Sequence, residues 1–135
     1  NRMLSRSSKL LLIAFAATLA TTGAVRAEET MVYELRTYTC HPGKLPALHD
    51  RFKNHTMKLF EKHGMKNVMY WTPNDKEDTL IYIVSHQSRK AADQSWKDFV
   101  ADPDWKAAYA KSIKDGKLVK KVERQYMTPT EYSPK

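Results

Sequence analysis

The segment TLIYIVSH, Thr79–His86, decides the fold. Its β-branched and aromatic residues follow one another without helical spacing, which predicts a β-strand. Successive side chains of a strand point to opposite faces. One face would hold Leu80, Tyr82, Val84 and His86, and the other Ile81, Ile83 and Ser85. Both faces are apolar, so both need cover.

Three other segments also predict strands. Met31–Cys40 alternates and is rich in β-branched and aromatic residues, and Asn67–Trp71 precedes a polar turn and then the central strand. The last strand is expected within Lys117–Pro129, before a short tail that ends the chain. The chain shows no internal repeat or low-complexity segment between these strands.

Helical patterns fill the intervals between the strands. Apolar residues at three- and four-residue spacing predict one helix from Lys44 to His63, ended by Gly64 as its C-cap. Ser88 is placed to cap a second helix that runs to about Val100. A third helix is expected over Asp102–Asp115, with Asp102 as its N-cap and a proline at its first position.

This order of elements predicts an α+β fold, the ferredoxin-like βαββαβ arrangement with a four-stranded antiparallel sheet. Its helices would all lie on one face of the sheet, leaving the other without cover. A second copy of the same sheet would supply that cover, giving a homodimer with a barrel-like interior, a dimeric α/β barrel. We expect Leu80, Tyr82 and Val84 to need this shelter.

Polar side chains are expected to face the interior of that barrel and form a ligand site. They are Glu34, Arg36 and Tyr38 of the first strand, Tyr82 and His86 of the central strand, and Glu123 and Gln125 of the last. His86 is the candidate general acid or base, since an imidazole exchanges its proton near neutral pH. Arg36 and Tyr38 would bind a small planar or anionic compound. The alternative is structural, with Glu34 and Arg36 forming a salt bridge and His86 bonded to the backbone.

Residues 1–27 are typical of a cleavable signal peptide, with basic residues, then the apolar run LLLIAFAATLA, then AVRA. The run is too short to span a bilayer. Cleavage after Ala27 would leave a single domain, 28–135, exported to the periplasm or secreted, with a mitochondrial transit peptide as the alternative. It would also remove four basic residues and no acidic one, lowering the net charge from +8 to +4.

Several functional classes lack support in the sequence. The remaining lysines are scattered among acids, which argues against nucleic-acid binding. Cys40 is the only cysteine of the chain, so no internal disulfide can form. The histidines do not show the i, i+4 spacing of a helical metal site, and we expect no metal.

The chain resembles the NIPSNAP family in successive blocks. They are YELRTY, PGKLPALHDRFKNHTMKLFEKHGM, YWTPNDKEDTLIYIVSHQS, SWKDFVADPDWK and DGKLVKKVERQYMTPTEYSP. The resemblance implies a dimeric α/β barrel of the superfamily that includes antibiotic-biosynthesis monooxygenases and haem-degrading oxygenases. We expect no cofactor, and the alternative that this analogy offers is haem bound through His86 or His55. No common reaction is firmly assigned to the family, so the resemblance supplies no catalytic set.

Two functions are therefore compatible with the sequence. The first is a homodimeric small-molecule-binding protein, with an oxygenase-like or isomerase-like reaction centred on His86. The second is a non-catalytic interaction or scaffold module acting through its charged helices and the tail TPTEYSPK. A cavity above about 300 Å³ lined by His86, Arg36 and Tyr38 would favour the first.

Overall fold

The computed structural model describes residues 30–135. The expected signal peptide, residues 1–27, lies outside this range. Within residues 30–135, no helix has the length and apolar character needed to cross a membrane.

Four strands and two helical regions make up the described chain. The strands are β1 (Val32–Cys40), β2 (Lys66–Trp71), β3 (Thr79–His86) and β4 (Val119–Met127). The first helical region comprises α1 (Leu45–Arg51), a π-helical segment (Phe52–Thr56) and α2 (Met57–Lys62). The second comprises α3 (Arg89–Ala101) and α4 (Pro103–Ser112).

The four strands form one antiparallel sheet in the order β2-β3-β1-β4. β3 pairs with β1 and β2, and β1 also pairs with β4. This order confirms the ferredoxin-like α+β fold, and the bounds predicted for β3 are correct. The homodimer stays a prediction.

Short-range chemistry fixes three helix ends where the sequence predicted them, whereas α4 ends at Ser112 and not at the predicted Asp115. Gly64 adopts a left-handed conformation, with φ of 79°, just after α2. The hydroxyl of Ser88 accepts a hydrogen bond from the backbone N–H of Ala91 at 3.0 Å. The carboxylate of Asp102 accepts one from the N–H of Asp104 at 2.8 Å and so caps α4.

Asp102 also ties the two helical regions together. Its Oδ2 accepts hydrogen bonds from Nζ of Lys62 at 2.8 Å and Nε2 of His63 at 2.7 Å. Three donors therefore converge on one carboxylate at the junction of α3 and α4, and the pKa of Asp102 is lowered, mainly by the hydrogen bond from Lys62.

The central strand reverses the expectation about which face needs a second subunit. Leu80, Tyr82 and Val84 face the helices and are 3% exposed or less. Tyr82 packs edge-on against Phe52, with ring centroids 5.1 Å apart. The expectation that these residues need shelter from a second subunit is therefore wrong, because the helices of the same chain already cover them.

The face of the sheet turned away from the helices, here called the open face, carries the other set of residues. Leu35 pairs with Ile83, and Ile83 with Met69, and directly paired residues point to the same side. In the next row Ile81 pairs with Trp71. Met69 is 52% exposed and Trp71 44%. The tail of the same chain, residues 128–135, lies beside Ile83 at one end of this face, whereas Met69 and Trp71 stay exposed.

The first helical region differs from the single α-helix predicted over Lys44–His63. The π-helical segment Phe52–Thr56 widens one turn in its middle. The hydroxyl of Thr56 donates to the backbone carbonyl of Arg51 at 3.3 Å and helps to satisfy the loosened backbone. The wide turn therefore takes up one extra residue between α1 and α2.

Candidate functional site

A buried carboxylate organises the polar residues between the sheet and the helices. Glu34 lies on the helix-facing side of β1 and is 0% exposed. Its Oε1 accepts hydrogen bonds from Nε2 of His86 at 2.9 Å and Nε1 of Trp96 at 2.6 Å. Its Oε2 accepts one from Nη1 of Arg36 at 2.8 Å. We call these four residues the Glu34 cluster.

The donors of the cluster keep Glu34 ionised. Burial alone would raise its pKa, but the hydrogen bonds from His86, Trp96 and Arg36 outweigh burial and lower the pKa of Glu34 from 4.5 to about 2. A carboxylate with this pKa and three donors has little tendency to take up a proton at neutral pH. Glu34 is therefore a structural anion and unsuited to act as a general base.

His86 is held by the same carboxylate. Since an ionised carboxylate only accepts hydrogen bonds, Nε2 of His86 carries the proton that is donated to Glu34. The ring is 2% exposed, and its Nδ1 has no hydrogen-bond partner among the described residues. The ring of Tyr126 lies 6.1 Å away. His86 is therefore enclosed by protein.

Arg36 connects the Glu34 cluster to a pair of tyrosines. Its guanidinium lies 4.2 Å from the ring of Trp96, and its Nη2 donates to the hydroxyl of Tyr38 at 3.3 Å. The hydroxyl of Tyr82 lies 3.0 Å from the same oxygen. The Tyr38 oxygen therefore contacts one guanidinium donor and one hydroxyl, and either of the two tyrosine hydroxyls can donate to the other.

Tyr38 also forms part of the wall of a cavity, here called the Tyr38 cavity. It lies between β1, β4 and the helices and has a volume of about 270 Å³. Its walls are Tyr38, Arg51, Phe52, Thr56, Phe60, Phe99, Trp105, Tyr109, Val119, Lys120, Lys121 and Val122. The π-helical segment supplies Phe52 and Thr56 to this wall. Such wide helical turns are frequent at functional sites.

Arg51 is the buried cation of this wall. It ends α1, is 6% exposed, and lies 5.3 Å from the ring of Trp105 and 5.2 Å from that of Tyr109. Its Nη1 donates to the hydroxyl of Ser112 at 3.1 Å. Burial lowers the pKa of Arg51 because it disfavours the charged form. Sequence reasoning did not single out Arg51, whose position within a helical pattern gives no sign of burial.

The structure brings most of the predicted site residues together, but not where they were expected. Glu34, Arg36, Tyr38, Tyr82 and His86 form one connected group on the helix-facing side of the sheet. The expectation that they face the interior of a two-subunit barrel is wrong. Helix-facing residues of β1 and β3 lie under the helices of their own chain. Their roles in binding or catalysis stay predictions.

Glu123 lies apart from this group. It pairs with Thr37 of β1, so its side chain lies on the open face rather than beside Glu34. It is 57% exposed and forms an ion pair with Lys121 at 3.0 Å. Gln125 pairs with Leu35 and shares the open face. Placing Glu123 and Gln125 with the first-strand residues was wrong because their register to β1 puts them on the other side.

The arrangement does not fit haem. His86 is enclosed and committed to Glu34, and His55 lies on the π-helical segment beside a different recess. Neither histidine lines the Tyr38 cavity, which is also too small for a porphyrin. Within residues 30–135, no group of three or more His, Cys, Asp or Glu side chains is placed to hold a metal ion.

A protein-family model and several solved structures match this chain. The NIPSNAP family model matches residues 33–134. No curated protein matches the chain.

Solved structures show the same architecture. A NIPSNAP family protein with unknown function from Agrobacterium tumefaciens strain C58 is 24% identical with a TM-score of 0.68, covering 80% of this chain and 96% of that one. An uncharacterized NIPSNAP-like domain protein from Burkholderia xenovorans is 15% identical with a TM-score of 0.69, covering 79% and 91%. SnoaB, a cofactor-independent oxygenase from Streptomyces nogalater, is 18% identical with a TM-score of 0.55, covering 78% and 99%. These likenesses concern the fold. Since the family model spans nearly the whole described chain, the protein belongs to the NIPSNAP family.

Proposed function

We propose that this protein is a homodimeric small-molecule-binding protein that holds its ligand in the Tyr38 cavity. The observation that supports this function best is the hydroxyl of Tyr38. Its oxygen accepts from Arg36 and contacts the hydroxyl of Tyr82, and when Tyr82 is the donor the O–H of Tyr38 donates to an acceptor on the ligand. Hydrogen bonds in a chain polarise one another, so the two incoming bonds make Tyr38 a stronger donor.

The size of the cavity suits a compact ligand. Its volume of about 270 Å³ is below the volume of about 300 Å³ that was expected to favour a small-molecule site. Tyr38, Arg36 and His86 were expected to line such a cavity, but only Tyr38 does. Arg36 donates a hydrogen bond to Tyr38, and His86 is enclosed by protein. The proposal therefore depends on the chemistry of the wall more than on its size.

An oxygenase-like or isomerase-like reaction at His86 gains no support from this geometry. SnoaB is described as a cofactor-independent oxygenase, but its likeness to this chain is one of fold. His86 and Glu34 do not contribute to the wall of the cavity, so a ligand held there would not meet the imidazole. We therefore propose binding as the function and Tyr38 as the residue that contacts the ligand.

The proposed homodimer would form through the open face. Ile83, Met69 and Trp71 would be covered by the same residues of a second copy, since a two-fold axis pairs a patch with itself. Analytical ultracentrifugation at micromolar concentration should give a dimer, and Ile83→Lys should give a monomer. Val100, 58% exposed on α3, supplies the matched control. Val100→Lys should leave the dimer intact, and a monomeric parent protein would contradict the proposal.

Ligand binding is tested by a thermal-shift screen of small aromatic and aliphatic compounds, each containing a hydrogen-bond acceptor. Compounds that raise the Tm of the parent protein should raise it less in Tyr38→Phe, because the phenylalanine keeps the ring and loses the donor. Tyr132→Phe is the control, since Tyr132 is 88% exposed in the tail. Equal shifts in the Tyr38→Phe variant and the parent would remove Tyr38 from the site.

A further inference from the structure

We infer that the ligand of the Tyr38 cavity is a small aromatic carboxylate, with its carboxylate bound by Arg51 and its ring packed among the aromatic side chains of the wall. This inference rests on the proposed function, because it names the class of ligand for the same cavity. It starts from the charge of Arg51, which the packing of the protein alone does not explain.

Arg51 is a buried cation without a carboxylate partner. It is 6% exposed, and none of the salt bridges formed within residues 30–135 includes it. Its Nε is buried and has no hydrogen-bond partner in that part of the chain. Nε of Arg36, the comparable cation nearby, also has no partner, but the charge of Arg36 is paired with Glu34 at 2.8 Å. An unpaired buried charge is costly, so a missing anion is the natural complement of Arg51.

Two features of the protein offset part of this charge. The negative end of α4 lies at Ser112, whose hydroxyl accepts from Arg51. The rings of Trp105 and Tyr109 lie close enough for cation–π attraction. Neither the end of α4 nor the two rings accept a hydrogen bond from Nε of Arg51. Neither offers the two parallel acceptor oxygens of a carboxylate, which match the paired N–H groups of a planar guanidinium.

The charges and rings of the other wall residues also restrict which ligand can bind. Lys120 and Lys121 are the other charged residues of the wall, which has no acidic residue. Lys121 is already paired with Glu123. The apolar part of the wall is largely aromatic and would pack against a flat ring. Its members are Phe52, Phe60, Phe99, Trp105 and Tyr109.

Volume limits the ligand to about one ring. At about 270 Å³ the cavity lies just below the range of about 300–1,000 Å³ that is usual for ligand sites. A benzoate-sized acid fits this space. A hydroxyl or carbonyl oxygen on the ring would also give the proton of Tyr38 an acceptor.

The test compares benzoate with benzyl alcohol, which keeps the ring and lacks the charge, by isothermal titration calorimetry on the purified protein. Benzoate should bind at least tenfold more tightly. Arg51→Gln should weaken benzoate binding at least tenfold and leave benzyl alcohol unchanged. Lys58→Gln, which removes one exposed positive charge from α2, should leave both unchanged. Arg51→Lys keeps the positive charge without the paired N–H donors and should lose less affinity for benzoate than Arg51→Gln does. If Arg51→Gln does not fold, Arg51→Lys tests the role of Arg51 instead.

The outcomes separate this inference from the proposed function. If benzyl alcohol binds as tightly as benzoate, and Arg51→Gln or Arg51→Lys keeps the affinity for benzoate, the anion inference is wrong while binding in the Tyr38 cavity stands. If neither compound binds, the inference is wrong, and the screen with Tyr38→Phe decides the proposed function by itself. If benzoate binding is lost equally in Lys58→Gln and Arg51→Gln, the effect is general charge attraction and the inference is again wrong.

Discussion

The buried carboxylate of Glu34 makes a quantitative prediction about acid stability. Its pKa is lowered from 4.5 to about 2 by folding. At roughly 1.4 kcal/mol per pH unit, this corresponds to about 3 kcal/mol of folding stability. Because the pKa of the folded state is the lower one, the contribution is fully present above about pH 5. It is lost as the pH falls towards 2, and about 2 kcal/mol of it should be gone by pH 3.

The variant Glu34→Gln separates the contribution of Glu34 to acid stability from that of the other acidic residues. The amide keeps the shape of the side chain but brings an N–H group towards His86, Trp96 and Arg36, which are all donors. At pH 7 the variant should be less stable by about 3 kcal/mol or more, since it also leaves Arg36 without its counter-ion. At pH 3 the difference from the parent protein should be smaller by about 2 kcal/mol.

The assay is urea unfolding followed by far-ultraviolet circular dichroism, repeated between pH 7 and pH 3. Glu123→Gln provides the control, because Glu123 is 57% exposed and its removal should change stability little at either pH. A difference between the parent protein and Glu34→Gln that is the same at pH 7 and pH 3 would refute the account of Glu34 as an ionised structural anion.

Three further predictions concern other parts of the structure. His86→Ala should lower the free energy of unfolding in urea by about 2–4 kcal/mol, since it leaves a cavity and removes a donor to Glu34. The affinity for a ligand of the Tyr38 cavity should not change, and a loss of that affinity would restore the predicted role of His86 at the site. Ser88→Ala should cost about 1 kcal/mol in urea unfolding, because it removes the cap of α3, and an unchanged midpoint would contradict that cap. Cys40 is 2% exposed, and burial raises the pKa of its thiol. A thiol reagent should therefore label Cys40 slowly in native protein and rapidly in urea. Fast labelling of the native protein would contradict this burial and show that β1 opens at its end.

Local patterns were sufficient to predict the elements and their order. The run Thr79–His86 has the composition of a strand over its whole length, and both of its bounds were predicted correctly. The caps at Ser88 and Asp102 depend on contacts within a few residues, so the sequence contains what is needed to place them. The same is true of Gly64, whose left-handed conformation ends the first helical region.

The face of the sheet that meets the helices could not be decided in the same way. Alternation in β3 separates Tyr82 from Ile83 correctly, but both faces are apolar, so hydropathy does not say which one the helices cover. Long-range pairing decides it. Glu34 bonds to Trp96 of α3, a partner 62 positions along the chain. The register that places Glu123 opposite Thr37 is equally non-local.

The wide turn at Phe52–Thr56 lies where one helical region serves both the core and the cavity. Leu48 before it and Leu59 after it pack into the core, and Arg51 before it and Phe60 after it line the cavity. Removing one residue from this turn would restore regular α-helical winding, because a π turn holds one residue more than an α turn. A one-residue change of length would therefore alter the part of the cavity wall that Phe52 and Thr56 supply while the flanking helices keep their winding, which makes this turn a natural point at which to diversify ligand preference.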